Sequence, residues 1–390
     1  MISVEEAKRI LMEHVPVLDP DIVALASARG YVAKDVIAEY DYPLFDMSAV
    51  DGYAFAWDGS MTEWNVVGEV AAGEAMSGAL HSGECVRIFT GAMLPIGADT
   101  VVMQEFVVRN GDRIAHKDLR LKPCGNVRTK GEHIQQGEVV LNAGVRLDAA
   151  AIGLLASVGV YGVHMVLAPE VFVLITGNEF ATEENLRPGL IFGSNDVILD
   201  ALVPRGGGIA EFVQVADDIE ELVKAIQWGL AHSDMVISTG GASVGDHDLV
   251  HAAVERCGGR IVFHGVAQKP GKPMLFAMFG DKPFFGLPGN PRAVMVLFWE
   301  YVLPFLRAMQ GADDPWLKSD QLPIAHDLLI KGDRAEFRAA KVKGGKVTLL
   351  PDEGSHMLRS LINADALAYL PAHKRSWIEG ELLELHYLPR

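Results

Sequence analysis

The chain has 390 residues, 49% of them hydrophobic, with 51 acidic against 34 basic side chains and a formal net charge of −17. Length and composition imply a soluble globular α/β or α+β protein of two to four domains. The acidic balance excludes nucleic acid and an anionic membrane as main partners, so any cationic cluster is a local exception worth finding. Cys85, Cys124 and Cys257 are too few and too widely spaced for a disulfide framework or a metal cluster, and imply reduced thiols in a cytoplasmic setting.

The first residues carry no basic-then-apolar leader. Ser3 and Glu6 instead form a capping box ahead of Ala7, Ile10, Leu11 and Val15 on one helical face. Residues 1–42 read as helical and then extended. From 43 to 134 the helical period disappears, and short β-like runs alternate with Gly, Asn and Asp turns, Asn110-Gly111 among them as a hairpin signal. Residues 135–167 carry a β-like piece and then a helix over 149–158. The apolar stretch 149–177 is interrupted by His164, Pro169 and Glu170 and broken at Gly159 and Gly162, which predicts a helix, a turn and a buried strand rather than a membrane span.

From about 168 to 317 strands and helices alternate. Strands are predicted over 171–175, 235–238, 260–263 and 283–286. Helices are predicted near Asp196 after Ser194-Asn195, after Asp217-Asp218, after Asp248, and over a long segment after Asn290. This rhythm predicts a mainly parallel sheet with helices on both faces, whose ligands bind outside the carboxyl ends of the strands. Residues 318–390 return to alternating, turn-rich sequence and read as a small β domain.

Three strand-to-loop junctions carry the chemistry. Thr239-Gly240-Gly241-Ala242-Ser243-Val244-Gly245-Asp246-His247-Asp248 joins a strand to a helix, an order that surrounds an anion with backbone N–H groups while carboxylates hold a hard cation. Thr176-Gly177-Asn178-Glu179 and Gly286-Leu287-Pro288-Gly289-Asn290-Pro291 leave two other strands toward the same edge, with Asn290 as N-cap and Pro291 as first helical residue. Any one of these is equally well a tight turn; three together indicate a small phosphate-bearing ligand. Lys269-Pro270-Gly271-Lys272-Pro273 is the stiffened basic exception, suited to an oxyanion. Farther away, Asp46, Ser48 and Asp51, with Thr90 and with Arg128, Lys130 and His133, supply carboxylates, hydroxyls, cations and an imidazole. His133 lacks the partners of a zinc site.

These motifs, in this order and over essentially the full length, resemble the molybdopterin molybdenumtransferases, the MoeA and gephyrin E-domain family. The match is carried by Phe45-Asp46-Met47-Ser48-Ala49-Val50-Asp51-Gly52-Tyr53-Ala54, Arg87-Ile88-Phe89-Thr90-Gly91-Ala92, the three loops, the Lys269–Lys272 segment and Gly354-Ser355-His356. The resemblance implies an elongated N-terminal α+β part (1–42 and 135–167), an inserted β-rich domain (43–134), a doubly wound, mostly parallel molybdopterin-binding α/β domain (168–317) and a C-terminal β-barrel-like domain (318–390). It further implies a cytoplasmic homodimer that combines adenylylated molybdopterin with molybdate, Mg²⁺-dependently, and releases AMP. Molybdopterin adenylyltransferase and molybdoenzyme maturation proteins are the implied protein partners.

The roles implied by the resemblance are assigned as follows. Asp51 and Thr90 approach from the partner subunit, and Lys269, Lys272 and Asp248 complete the catalytic set. Substrate is held by Thr176, Glu179, Asn195, Gly240, Gly241, Ser243, Gly245, Pro288, Asn290, Pro291, Arg128 and Ser355. Asp217, Asp218, Asp246 and Asp248 support the cation. The chain departs from the family pattern at Met47, His133, Asn178, Gly193 and Arg292, and at Phe337-Arg338-Ala339, where arginine stands one residue early. The lost carboxylates leave room for a tungstate preference. A non-catalytic molybdopterin-binding paralogue and a molybdopterin adenylyltransferase are the alternatives. Retained Glu179, Asp248, Lys269 and Lys272 weigh against the first, and the additional domains weigh against the second.

Overall fold

A computed structural model describes residues 1–181, 183, 184, 186–241, 249–351, 354 and 356–389. Helix α1 (Val4–Met12) starts as its sequence predicts, with Ser3 Oγ accepting the Glu6 N–H at 3.1 Å. Its buried face, Val4, Ala7 and Leu11, joins the same core as Val173, Phe276, Phe285 and Phe305. Although first in the chain, α1 is thus part of the α/β core.

Residues 20–42 and 135–167 form one body. Pro20–Ala24 pairs antiparallel with Gly162–Val166, Gly30–Tyr31 with Arg146–Leu147, and Val36–Ile37 with Val139–Leu141. A separate core closes it around Leu25, Val32, Leu155, Val163 and Met165. The segment between them builds a six-stranded sheet over residues 52–116, and Asn110 and Arg113 pair across the hairpin turn, with Gly111 at φ +61°.

The α/β sheet uses β1 (Glu170–Thr176), β2 (Ile209–Val215), β3 (Met235–Thr239), β4 (Arg260–His264), β5 (Leu275–Phe279) and β6 (Lys282–Leu287), in the order β2-β1-β3-β6-β5-β4. The first four in that order are parallel, in keeping with the predicted mainly parallel sheet, although β2 was not among the expected strands; β5 and β4 add an antiparallel edge. Strand β5 was not anticipated, because the apolar residues 274–279 lack alternation and are set off from β6 only by the Gly280-Asp281 turn. Helices α3 (Ile219–His232) and α4 (Leu249–Arg256) cover one face through Leu222, Ile226, Val250 and Val254. On the other face lie α1, α2 (Asn195–Leu202) and the long helix after Asn290.

That long helix is not uniform. It runs as α5 (Pro291–Leu297), a π-helical turn over Phe298–Val302, then α6 (Leu303–Met309). Pro304 has no N–H to give the Glu300 carbonyl, and the Leu303 N–H reaches back five residues to Phe298. In the widened turn, buried Glu300 accepts from Lys8 Nζ of α1 at 2.6 Å and from His386 Nδ1 at 2.8 Å.

The C-terminal strands Ser319–Pro323, Ala335–Lys343, Lys346–Leu349, Ala366–Leu370 and Leu382–Tyr387 form one antiparallel sheet, curled so that Ile324 bridges Val347 near its two edges. The short strand Gln268–Lys269, which leads into the lysine loop, pairs with Ala335–Glu336 and joins this sheet to the α/β body. Arg338 points away from the buried Phe337 and Ala339 and pairs with Glu336 at 2.7 Å.

Candidate active site

The carboxyl ends of β1, β3 and β6 lie side by side, Ile175 in register with Thr239 and Thr239 with Leu287. At Gly240, φ is +93° and an added Cβ would stand 2.1 Å from the Thr176 carbonyl oxygen, so only glycine lets the chain turn over the end of β1. Gly289 comes up from the β6 loop; a Cβ built on it would lie 3.7 Å from Gly240 Cα. The loops after these three strands therefore meet at backbone distance, and their N–H groups and hydroxyls share one edge.

Asn195 ties them together. It was expected to cap α2, but the helix starts at Asn195 itself, and its side chain turns inward. Nδ2 donates to Thr239 Oγ1 at 2.7 Å and to the Gly289 carbonyl at 2.9 Å. Asn195 Oδ1 and Ser238 Oγ are buried with no hydrogen-bond partner among the described residues. Orphaned polar atoms of this kind are rare in folded proteins. Thr239 and Ser238 carried no assigned role in the sequence, since a buried hydroxyl at a strand end has no local signature.

The acidic residues divide their roles. Thr176 Oγ1 donates to Asp217 Oδ1 at 2.5 Å, and the Asp217 N–H reaches Asn178 Oδ1 at 3.3 Å. Asp218 Oδ1 accepts the Glu220 and Glu221 N–H groups at 2.9 and 3.1 Å and so caps α3. Among the described residues no group of three or more His, Cys, Asp and Glu side chains could by itself hold a metal ion. Asp217 keeps its carboxylate beside the Thr176 hydroxyl. Glu179 is exposed and folds its carboxylate back over Gly177, where a Cβ would meet Oε2 at 2.4 Å. Pro288 is buried, Asn290 is the α5 N-cap without a side-chain bond, and Pro291 is the first helical residue.

The lysine loop packs on the helix that starts from this edge. At Gly271, φ is +89° and a Cβ would stand 2.7 Å from Leu297 Cγ of α5; Lys269 is exposed and Lys272 half-buried. Arg292, in the first turn of α5, is only 1% exposed. Its Nη1 donates to the Met357 carbonyl at 3.1 Å and to Ser360 Oγ at 2.6 Å. The residue that looked anomalous in sequence thus fastens Met357 and Ser360 to the α/β edge. Gly193 has a similar local reason: a Cβ there would lie 3.2 Å from the Phe180 ring. Ser243, Gly245, Asp246, Asp248 and Ser355 lie outside the described residues.

Asp51 and Thr90 form a second pair in the inserted β-rich part, with Arg128 on a strand pair beside the segment that leads to Asp51. Ser48 and Met47 pair with Val127 and Arg128, and the Gly91 N–H donates to the Ser48 carbonyl at 2.8 Å. Asp51 Oδ1 accepts both the N–H and the hydroxyl of Thr90 at 2.8 Å. The Thr90 N–H, then its hydroxyl, hold the Asp51 carboxyl below the usual carboxylate range and keep it anionic. In Thr90→Val the hydroxyl bond is gone, so the Asp51 midpoint, followed by carboxyl carbon NMR, is expected to rise toward the ordinary value; an unmoved midpoint would refute that coupling. Exposed Thr90 presents a hydroxyl beside Asp51, and the charge of Arg87 also lowers that carboxyl; exposed Arg128 stands opposite Met47 in the neighbouring strand pair. Among the described residues no hydrogen bond or ion pair joins residues 43–134 to the α/β edge.

An α/β edge with three interlocked loops defines a ligand-handling α/β enzyme, and comparison with known proteins gives its kind. Three family models match in succession: "MoeA N-terminal region (domain I and II)" over residues 2–159, "Probable molybdopterin binding domain" over 172–308, and "MoeA C-terminal region (domain IV)" over 321–388. The chain is 36% identical to a molybdopterin molybdenumtransferase of Nostoc sp., over 95% of this chain and 90% of that protein. It is 30% identical to one from Haemophilus influenzae, over 99% and 98% of the two chains. Among solved structures, a molybdopterin biosynthesis moeA protein from Pyrococcus horikoshii superposes over 100% of both chains with a TM-score of 0.83 at 31% identity. The chain belongs to the molybdopterin molybdenumtransferase family, whose members are transferases.

Proposed function

We propose that the protein combines adenylylated molybdopterin with molybdate, releasing AMP and leaving molybdenum on the pterin dithiolene. The observation that carries this reading is the meeting of the β1, β3 and β6 loops around Asn195, in a chain whose relatives bear the molybdenumtransferase name. Gly240, Gly241 and the 243–245 segment offer backbone donors to phosphate oxygens, and Thr176, Glu179 and Pro288–Pro291 border the nucleotide and pterin. Lys269, Lys272 and Ser355 receive phosphate or molybdate oxygens. Mg²⁺, held by Asp217 with Asp246 and Asp248, would neutralise charge on the phosphates; Asp218, committed to its helix cap, is the weakest of the four proposed ligands. Positioning and charge neutralisation suffice for much of the rate, because adenylate leaves readily once its charge is balanced.

Asp51, Thr90 and Arg128 belong to this site if a second copy brings its inserted β-rich part to the α/β edge, and we place the reaction in a homodimer for that reason. The test is AMP release from adenylylated molybdopterin with Mg²⁺ and either molybdate or tungstate. Oxyanion-stimulated release that drops at least about tenfold in Asp248→Asn is the expected result, and the stronger anion identifies the metal preference. Tight ligand binding without release under either anion would replace this reading with a non-catalytic, molybdopterin-holding one.

A further inference from the structure

Four arginines converge on a cleft that the proposed reaction does not use. Arg29, Arg146, Arg205 and Arg307 line one cavity of about 230 Å³ between the paired strands at 30–31 and 146–147 and the start and end of the α2-to-α6 face. The chain has 17 more acidic than basic side chains (51 minus 34), so cations should find carboxylates easily. Among the described residues none of these four forms an ion pair.

Their hydrogen bonds leave most of each guanidinium unused. Arg29 Nη1 donates to the Ala28 and Ala26 carbonyls at 2.6 and 3.4 Å, and Arg205 Nη1 to Pro389 at 3.5 Å. Arg307 Nη1 donates to the Pro315 and Trp316 carbonyls, both at 3.1 Å. The remaining N–H groups of these three, and the whole head of Arg146, have no acceptor among the described residues. Burial lowers the affinity of Arg307 for its proton, Tyr31 and Asp314 oppose this, and Arg146 adds to it. The cleft therefore concentrates positive charge at a cost that a bound anion would relieve.

The floor is built and rigid. Gln310, 4% exposed, donates through Nε2 to the Gly206 and Leu306 carbonyls at 2.7 and 2.8 Å. At Gly207, φ is +84° and a Cβ would stand 2.3 Å from Gln310 Oε1, so the backbone can pass there only as glycine. Planar guanidinium forks around such a floor match the geometry of phosphate oxygens. A cleft of about 230 Å³ has room for a pyrophosphate or a small phosphomonoester.

We infer that this cleft binds a compact multivalent oxyanion of the phosphate or pyrophosphate type, which bridges the N-terminal body to the α/β body through arginines from both. The inference stands apart from the proposed reaction and does not depend on it. Arg146 and Arg205 are exposed, so the Arg146→Gln/Arg205→Gln protein should fold as the parent does. Titration calorimetry of the full chain with pyrophosphate, and separately with inorganic phosphate at matched ionic strength, is the test. The parent is expected to bind pyrophosphate at least about tenfold more tightly than the double variant, with phosphate ranking below it. Equal binding by both proteins would overturn the inference by placing the anion elsewhere, as would no binding to the parent. A dimer that dissociates in Arg146→Glu/Arg205→Glu, with no anion bound to the parent, would overturn it too, assigning the cleft to carboxylates of a second copy.

Discussion

Gly240→Ala is expected to lose both stability and reaction, and by more than any other single methyl added to the site. The new Cβ would lie 2.1 Å from a backbone oxygen, in a backbone conformation that already disfavours a side chain at φ +93°. Neither the end of β1 nor the turn can yield without disturbing the Thr176–Asp217 bond beside it. The cost should be about 3 kcal/mol or more, the sum of a positive-φ penalty and a displaced strand terminus. Displacing reacting groups by about 1 Å is enough to slow a reaction roughly a hundredfold. Gly280→Ala is the control: its φ is +66° but a Cβ there meets nothing within 4 Å, so about 1 kcal/mol is expected and full activity. Urea unfolding and AMP release on the two proteins decide the matter. If Gly240→Ala behaves like Gly280→Ala, the close approach of the β1 and β3 ends is wrong.

Removing the buried carboxylate of Glu300 should be the most destabilising change outside the site. Burial would raise this carboxyl, yet the Lys8 charge and the His386 bond overturn that and leave it lowered. His386 is likewise opposed by burial, but its bonds to Glu300 and Glu384 raise it to about 9. Glu300→Ala strands two cations and should cost about 3–5 kcal/mol; Glu300→Leu combined with His386→Leu should recover part of that, because His386 then leaves with the carboxylate and only the partly exposed Lys8 loses its partner.

The pH dependence has a definite sign. Below the unfolded histidine value of about 6.5, His386 is charged in both states and its contribution is fully present. As pH rises from there through about 9 the contribution is lost, so Tm should fall across that window in the parent and flatten in His386→Asn. Glu300 acts at the other end: its contribution is present above the unfolded carboxyl value of about 4.5 and fades as pH falls through its lowered folded value. A Tm that rises between pH 6.5 and 9, or a slope that survives in His386→Asn, would count against this cluster.

Signals that act over a few residues were readable without coordinates. Ser3 and Glu6 start α1, Asn110-Gly111 turns a hairpin and Asp218 caps α3, each through bonds to near neighbours in the chain, and Pro291 opens α5 through its fixed backbone angle. The three loops were also visible as loops, although only strand register brings Gly240, Gly289 and Thr176 together. What stayed hidden depends on distant partners. Strand β5 exists because β4 and β6 flank it, and nothing local separates its apolar run from a helix. Asn195 looked like a cap because the carbonyl and hydroxyl that claim its amide lie 94 and 44 residues away. Arg292 looked out of place because Met357 and Ser360, which it holds, belong to the far end of the sequence. The resemblance to molybdenumtransferases supplied the family, which neither periodicity nor composition contains.

Helix α1 is made long before the surface it seats on. The surface on which Val4, Ala7 and Leu11 rest includes Phe276, Phe285 and Phe305, so during synthesis an apolar stripe must wait until some three hundred further residues have emerged. A fragment cut to the α/β segment alone would show the reverse defect, an open greasy trough where the helix belongs and a Glu300 without its lysine. Such a fragment should be rescued by adding residues 1–15 as a separate peptide, which makes the start of the chain a removable keystone for a body that begins far beyond it.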